Sequence, residues 1–288
     1  MTFPLDVADL SSRRAFAAAI AARTGQRLLG LRNTGTWADA TLGDVGDQAA
    51  DGFLQGALFG RHPADGLLSE ETKDAAARLT KRVCWIVDPL DGTKEYRSGR
   101  HDWAVHVGMA VDGRAVLGAV AMPAIDRVLV ACTAPGAECL ELLDLAGSPP
   151  GAAAAATPDA WPNTIVRGDT AAGGRLRLAV SRSHTPDWVQ RFAERMGGAE
   201  LVPSGSVGVK VALLLLGKAD AYVHKPGLKE WDTCAPAAIA AAAGWSVCRI
   251  DGSEQRYNLP DPRNDEIVVC RPAQRAQVLA ALAECAPR

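Results

Sequence analysis

Residues 84–96 read CWIVDPLDGTKEY. An apolar run ends in two aspartates three residues apart, with a proline between them and a Gly-Thr pair after them. Runs of this kind are strands buried on both faces. The ordinary reading is a strand that stops before Pro89 and opens into a polar turn. The alternative is a strand end built to carry charge, and the rest of the chain has to decide between them.

The 288 residues suffice for one large domain or two packed halves. With 48% hydrophobic and 22% charged residues, the composition is that of a globular chain. The formal charge of −2 gives no general attraction to nucleic acid or to a membrane surface, so any anionic substrate has to be held by local features. Seven scattered cysteines with no CxxC spacing argue against a disulfide framework and a zinc site, and for a reducing compartment. The N-terminus, MTFPLDVADL, lacks an apolar signal core, and the longest apolar runs, 211–217 and 235–245, are too short to span a bilayer. Together these predict a cytoplasmic protein with no nucleic-acid or membrane partner.

Working outward from the quoted segment, 11–32 has helical spacing of Phe16, Ile20 and Leu28, with Ser11 or Ser12 as the cap. A second helix is predicted over 43–60, opened by Asp44 or Asp47, and a short strand over 66–71 runs into Glu70 and Glu71. Residues 103–132 alternate apolar runs with turns, as in an antiparallel meander. The Gly-, Pro- and Ala-rich stretch 146–175 reads as a connection, with a short strand at 164–166, between an N-terminal half (1–145) and a C-terminal half (176–288). In that second half, strands are predicted at 176–181, 219–224 and 266–271. Helices are predicted from Asp187, from Ser206 to Leu216, from Trp231 to Gly244, and at the C-terminus. The mixture implies a layered α/β architecture.

Glu70, Asp88, Asp91 and Asp232 all fall at predicted element ends, where ligands of α/β proteins usually bind. Four carboxylates gathered in one volume would repel one another and raise each other's pKa values. About two divalent cations would balance them, and an all-oxygen donor set favours Mg²⁺, with Mn²⁺ as the alternative. The Leu90 carbonyl lies between the two aspartates as a further oxygen ligand. Gly92 lets the backbone approach closely, and the amides that follow can hold phosphate oxygens. Two ions roughly 3.5–4 Å apart can activate water and stabilise a leaving oxygen, which is phosphate-ester hydrolysis. Phosphatases that use an aspartate nucleophile carry the two carboxylates in D-x-D-G-[TS]. The spacing D-P-L-D-G-T is one residue longer, which predicts attack by metal-activated water with no phosphoenzyme.

Taken together, 69-SEE-71, 85-WIVDPLDGT-93 and 231-WDTCAP-236 resemble the inositol monophosphatase superfamily over nearly the whole chain. The resemblance implies an α/β/α/β/α sandwich and a lithium-sensitive phosphatase with two or three Mg²⁺ ions per site. It also implies Glu70, Asp88, Leu90 (backbone), Asp91 and Asp232 as metal ligands, with Thr93 and Glu70 positioning the attacking water. The variant 91-DGTKEY-96, with 181-SRSH-184 and 204-SGSVGVK-210, is similar to the 3′(2′),5′-bisphosphate nucleotidases of CysQ type. Their usual substrate is 3′-phosphoadenosine 5′-phosphate, a by-product of sulfate assimilation, with the corresponding phosphosulfate as a second candidate. The family's T-x-x-D appears here as 44-DVGD-47, so Asp47 is kept and the threonine is replaced by Asp44. Asp47 then serves the water or a third ion.

On the substrate side the resemblance assigns Gly92, Thr93, Ser181, His184, Ser206 and Lys210; Glu230, directly before Trp231, reads either as a partner for a sugar hydroxyl or, more commonly, as a solvated acid. Spacing alone leaves Ser206 and Lys210 open between anion binding and a helix cap beside a solvated lysine. His62, His101 and His106 show no metal-ligand spacing and receive no role. Two other readings stand beside the nucleotidase. One is the same chemistry on inositol monophosphate or fructose 1,6-bisphosphate; the other is a non-catalytic nucleotide or metal sensor. A monomer and a homodimer are equally compatible with the sequence.

Overall fold

The apolar run before Asp88 folds as a strand covered on both faces, and the N-terminal half is arranged around it. A computed structural model describes residues 3–150, 161–170, 173–183 and 185–287. Two long helices, α1 (Val7–Asn33) and α2 (Asp39–Arg61), precede β1 (Gly66–Ser69) and β2 (Val83–Asp91). The short α3 (Thr93–Arg97) follows, then β3 (Ala104–Val111), β4 (Arg114–Met122), β5 (Arg127–Cys132) and β6 (Cys139–Leu143). These six strands lie side by side in chain order, β1 parallel to β2 and each later pair antiparallel.

The second half contains β7 (Arg177–Ser181), α4 (Asp187–Arg195), β8 (Glu200–Ser204), α5 (Val207–Leu215) and β9 (Ala221–His224). It closes with α6 (Glu230–Ala242), β10 (Ser246–Cys248), β11 (Ile267–Cys270) and α7 (Arg275–Cys285). Its five strands are ordered β10-β11-β9-β7-β8, with β7 parallel to both neighbours.

Alternation along β2 explains why its sequence is apolar throughout. Val83, Trp85 and Val87 pack with Leu10, Leu28 and Leu54 of α1 and α2, whereas Cys84 and Ile86 pack with Cys234 and Ala237 of α6. Each such aliphatic side chain contributes about 1.5–3 kcal/mol by leaving water. The helices α5 and α6 fill the space between the sheets, and α4 and α7 cover the far face of the second sheet. The layers are therefore α/β/α/β/α, as the motifs imply.

How closely α6 approaches the first sheet is set by two glycines. Gly108 on β3 and Gly118 on β4 face each other in register. A Cβ at Gly118 would lie 2.2 Å from the Ala235 carbonyl oxygen, and one at Gly108 would lie 2.8 Å from Cys234 Sγ. The first turns of α6 thus rest directly on bare backbone, which fixes the height at which Asp232 enters the site.

Several sequence expectations need correction. β2 does not stop before Pro89; it continues to Asp91, because its register with β3 is irregular there and proline is tolerated where a ladder bond is already lost. α1 starts at Val7 with Asp6 as its cap, accepting from Asp9 N at 2.8 Å, so Ser11 and Ser12 lie inside the helix. α2 starts at Asp39, which puts Asp44 and Asp47 within it rather than at its head. Residues 164–166 form no strand; Val166 N donates instead to Leu215 O at 2.6 Å. The short strands β8 and β10 carry too few residues to show a period and had no sequence signal.

Candidate active site

In a regular strand, residues three apart point to opposite faces. Asp88 and Asp91 escape that rule. Asp88 pairs with His106 and Asp91 with Ala104, so β2 carries one more residue than β3 across this stretch. The bulge turns Asp91 back to the face of Asp88. As a result, ligand atoms of Asp88, Asp91 and His106 lie within 4.8 Å of one another. The Leu90 amide donates to Asp88 Oδ1 at 3.0 Å, which holds the carboxylate at the strand end.

Other elements bring further acids to this point. Glu70 follows β1, and its amide donates to Val87 O at 3.3 Å, so the parallel pairing continues up to the site. Its carboxyl lies beside that of Asp88, and each perturbs the other. Two carboxyls in such contact must share a proton or face a common cation. Asp232 lies in the first turn of α6, where its Oδ2 accepts from Lys229 N at 2.6 Å. Burial pushes the Asp88 carboxyl well up, reinforced by Glu70, Asp91 and Asp232. Asp232 is pushed well up by burial and then by Asp91, with Lys210 opposing. Glu70 rises to about 7 through lost hydration, helped by Asp91 and Glu71.

Asp47 and Thr93 form a second unit beside this cluster. Asp47 is half-buried on α2 and lies beside the Thr93 hydroxyl, which eases its charge. Burial first, then Glu71, Glu70 and Asp44, lift its pKa to about 8. The Thr93 hydroxyl also reaches the Leu90 carbonyl oxygen, at 3.2 Å, so its single proton can serve either acceptor. Gly92 has φ +94°, and a Cβ there would lie 3.2 Å from Trp103 Cβ, so the turn needs glycine.

The residues expected to touch substrate are placed differently from one another. Ser206 is fully buried; its Oγ donates to Asp91 Oδ2 at 2.5 Å and accepts from Val209 N at 3.2 Å, capping α5. The Val207 amide adds a 2.6 Å bond to the same Oδ2. Lys210 is 2% exposed, and its Nζ donates to Gly205 O at 2.5 Å. Both side chains are engaged by Asp91 and the Gly205 loop in this structure, because α5 enters directly over Asp91. Glu230 is also buried, accepting from Asn258 N at 2.6 Å and Leu259 N at 2.9 Å; it pins a loop and is not available to a sugar. Ser181 ends β7 beside a small cavity shared with Thr185, His224 and Lys225. His184 lies outside the described residues. Arg182 is held by Asp102, at 2.9 Å.

One polar residue at the site escaped the sequence reading. His106 is fully buried, with Nε2 3.2 Å from Asp91 Oδ2 and Nδ1 3.3 Å from Trp231 O. A usable signal was its position as the one polar side chain in the otherwise apolar strand AVHVGMAV. A cavity of about 480 Å³ between α1 and β6, bounded by Arg14, Arg23 and Leu143, contains none of these groups. No helix among the described residues is long and apolar enough to cross a membrane.

Residues 7–288 match the inositol monophosphatase family. The 3′-phosphoadenosine 5′-phosphate phosphatase of Mycobacterium leprae is 37% identical over 276 residues, covering 89% of this chain and 88% of that protein. The 3′(2′),5′-bisphosphate nucleotidase CysQ of Salmonella typhimurium is 31% identical, covering 66% of this chain and 69% of its own. Among solved structures, CysQ from Bacteroides thetaiotaomicron superposes with a TM-score of 0.70 at 27% identity, covering 90% of this chain and 97% of that one.

Proposed function

The chain belongs to the inositol monophosphatase family, and from that premise we propose that it is a Mg²⁺-dependent phosphatase that converts 3′-phosphoadenosine 5′-phosphate to AMP and inorganic phosphate. One observation carries the chemistry: the bulge in β2 that sets Asp88 and Asp91 on one face, opposite Asp232 and beside Glu70. The choice of nucleotide rests on the likeness to the mycobacterial phosphatase over most of both chains.

The donor set fits a hard divalent cation. Asp88 is 1% exposed and its carboxyl lies against that of Glu70, an arrangement that costs free energy unless a proton or a cation sits with it. Glu70, Asp88, Asp91, Asp232 and the Leu90 carbonyl would hold magnesium, and these are all oxygen donors. When bound, the metal supplies Lewis-acid polarisation of the phosphoryl oxygens and a lowered pKa for water.

The chain's own groups orient and deprotonate the nucleophile. Glu70 accepts a hydrogen bond from the attacking water and fixes its direction. Thr93 Oγ1 takes the water's proton as it passes its own to Asp47. Burial and the neighbouring Glu71, Glu70 and Asp44 raise the proton affinity of the Asp47 carboxylate, which suits it to accept that proton. The amides of Gly92 and Thr93 hold non-bridging oxygens of the 3′-phosphate, while Ser181 and His184 are assigned to the ribose and the 5′-phosphate. Lys210 is given a different part from the one its motif suggests, as a buried counter-charge to Asp91 and Asp232.

Phosphate release from 3′-phosphoadenosine 5′-phosphate, inositol 1-phosphate and fructose 1,6-bisphosphate, each with Mg²⁺ and again with Li⁺, tests the reading. The expected result is the highest kcat/KM for the nucleotide, with inhibition by Li⁺. Better turnover of either sugar phosphate would overturn the substrate. Tight nucleotide binding by folded protein with no phosphate release would make the chain a sensor.

A further inference from the structure

We infer that Asp102 is a positioning residue that sets how far the turns after β7 and β8 stand from the Gly92–Thr93 turn, and so tunes the site to a nucleotide held at both ends. It lies in the short connection between α3 and β3, and its backbone and side chain address different elements. Its carbonyl oxygen accepts from Ser206 N at 3.1 Å. The same oxygen would lie 3.4 Å from a Cβ at Gly92 and 2.7 Å from one at Gly205, so it is wedged between the two glycine turns. The carboxylate reaches further into the second half. Oδ2 accepts from Gly205 N at 2.9 Å and from Arg182 Nε and Nη2 at 3.0 and 2.9 Å. Oδ1 accepts from Arg100 Nε at 3.0 Å, within its own connection. Arg182 passes this hold on: Nη2 also donates to Pro203 O at 2.7 Å, and its amide donates to Ser204 O at 3.0 Å. The ends of β7 and β8 are thereby tied to one carboxylate from the first half.

Direct contact with substrate is one competing role. Against it, Oδ2 already takes three N–H groups, which uses up its lone pairs, and a carboxylate repels a phosphate ester. A plain stabilising ion pair is the other. The side chains of Asp102 and Arg182 are 13% and 33% exposed, and pairs open to water add little to stability. What the joint sets is therefore a distance. The reacting phosphate is assigned to the amides of Gly92 and Thr93, and the ribose and 5′-phosphate to Ser181 and His184. Asp102 lies against Gly92 at one end and grips Arg182, next to Ser181, at the other. A ligand that uses the β7 turn depends on that span, whereas one held only at the reacting phosphate does not.

The inference rests on the nucleotide reading proposed above, and binding of the two products separates its failure from the failure of that reading. Wild type, Asp102→Ala, Arg182→Ala and the double variant are titrated with AMP and with inorganic phosphate in the presence of Mg²⁺, and kcat and KM are measured on 3′-phosphoadenosine 5′-phosphate. For Asp102→Ala the expected result is a Kd for AMP and a KM raised about tenfold or more, with kcat and the Kd for phosphate within about threefold of wild type. The double variant should be no worse than the worse single one, because both residues act through one joint. An unchanged Kd for AMP, equal weakening of AMP and phosphate, or a loss confined to kcat would overturn the role of Asp102. Additive losses in the double variant would overturn it too, since Arg182 would then act on the ligand by itself. A wild-type chain that neither binds AMP nor hydrolyses the nucleotide would overturn the functional reading and this inference with it. Should Asp102→Ala be unfolded, Arg182→Lys is read in its place, since it keeps the charge but cannot set two N–H groups on Oδ2. Weakened AMP binding by that variant is expected, and wild-type binding overturns the inference.

Discussion

The carboxylate side of the cleft and the loop side facing it are built to different tolerances. On the carboxylate side, each acid is tied to a strand end, an adjoining turn or a helix start, and most are held by a backbone amide or a neighbouring acid within the core. On the loop side, the positions after β7 and around Gly205 are short turns, and their cations are already engaged: Arg182 by Asp102 and Lys210 by the Gly205 carbonyl. Rigid elements position atoms for chemistry, while loops can vary what is recognised. The acid cluster is thus fixed by the core, whereas the turns opposite it are free to vary.

If that contrast holds, substitutions should separate cleanly by side. The largest loss is expected for Asp91→Asn, which should lower kcat by several orders of magnitude while the melting temperature stays close to wild type. Near-normal turnover at saturating Mg²⁺ would erase the distinction between the two sides. Next, Asp47→Asn removes the proton acceptor behind Thr93 and should cost about 10²–10⁴-fold in kcat with little change in KM. A loss confined to KM would move Asp47 to the substrate side.

A pH series probes the carboxylate side as a whole. Glu70 and Asp47 have folded pKa values of about 7 and about 8, above their unfolded values. Their protonation therefore stabilises the fold below about pH 4 and this contribution is lost as pH rises through about 8. Chelator-treated protein should accordingly melt several degrees lower at pH 8 than at pH 5, with Mg²⁺ reversing the trend because it binds the deprotonated acids. A flat profile would mean that these acids are not crowded in solution. The smallest effect is expected on the loop side. Ser181→Ala removes one hydrogen-bonding hydroxyl and should raise KM for the nucleotide roughly twofold to tenfold at constant kcat.

The same contrast explains what could be read before folding. The clustering of Glu70, Asp88, Asp91 and Asp232 was legible because they stand at element ends in fixed local spacing, and the layered fold followed from the motifs around them. The bulge was not, since nothing in D-P-L-D states that Pro89 stays within the strand; only pairing with β3 decides it. Ser206 and Lys210 were recognised as a unit, but their direction depends on how α5 meets Asp91, a contact between distant parts of the chain. His106 and Glu230 have the same difficulty: one reads as a stray polar residue in a strand and the other as a solvated acid, until α6 and the 258–259 loop close over them.

The bare glycine seat beneath α6 has a kinetic consequence. Asp88 and Asp91 are translated long before Asp232, and they acquire their third partner only when the Cys234–Ala235 turn drops onto Gly108 and Gly118. Closing a loop of that length is an entropic barrier that local contacts cannot lower, so the complete acid cluster belongs to the late stages of folding. Cation uptake would then mark a finished molecule, and the ion would in turn hold the two halves of the ribosome's product together by mass action.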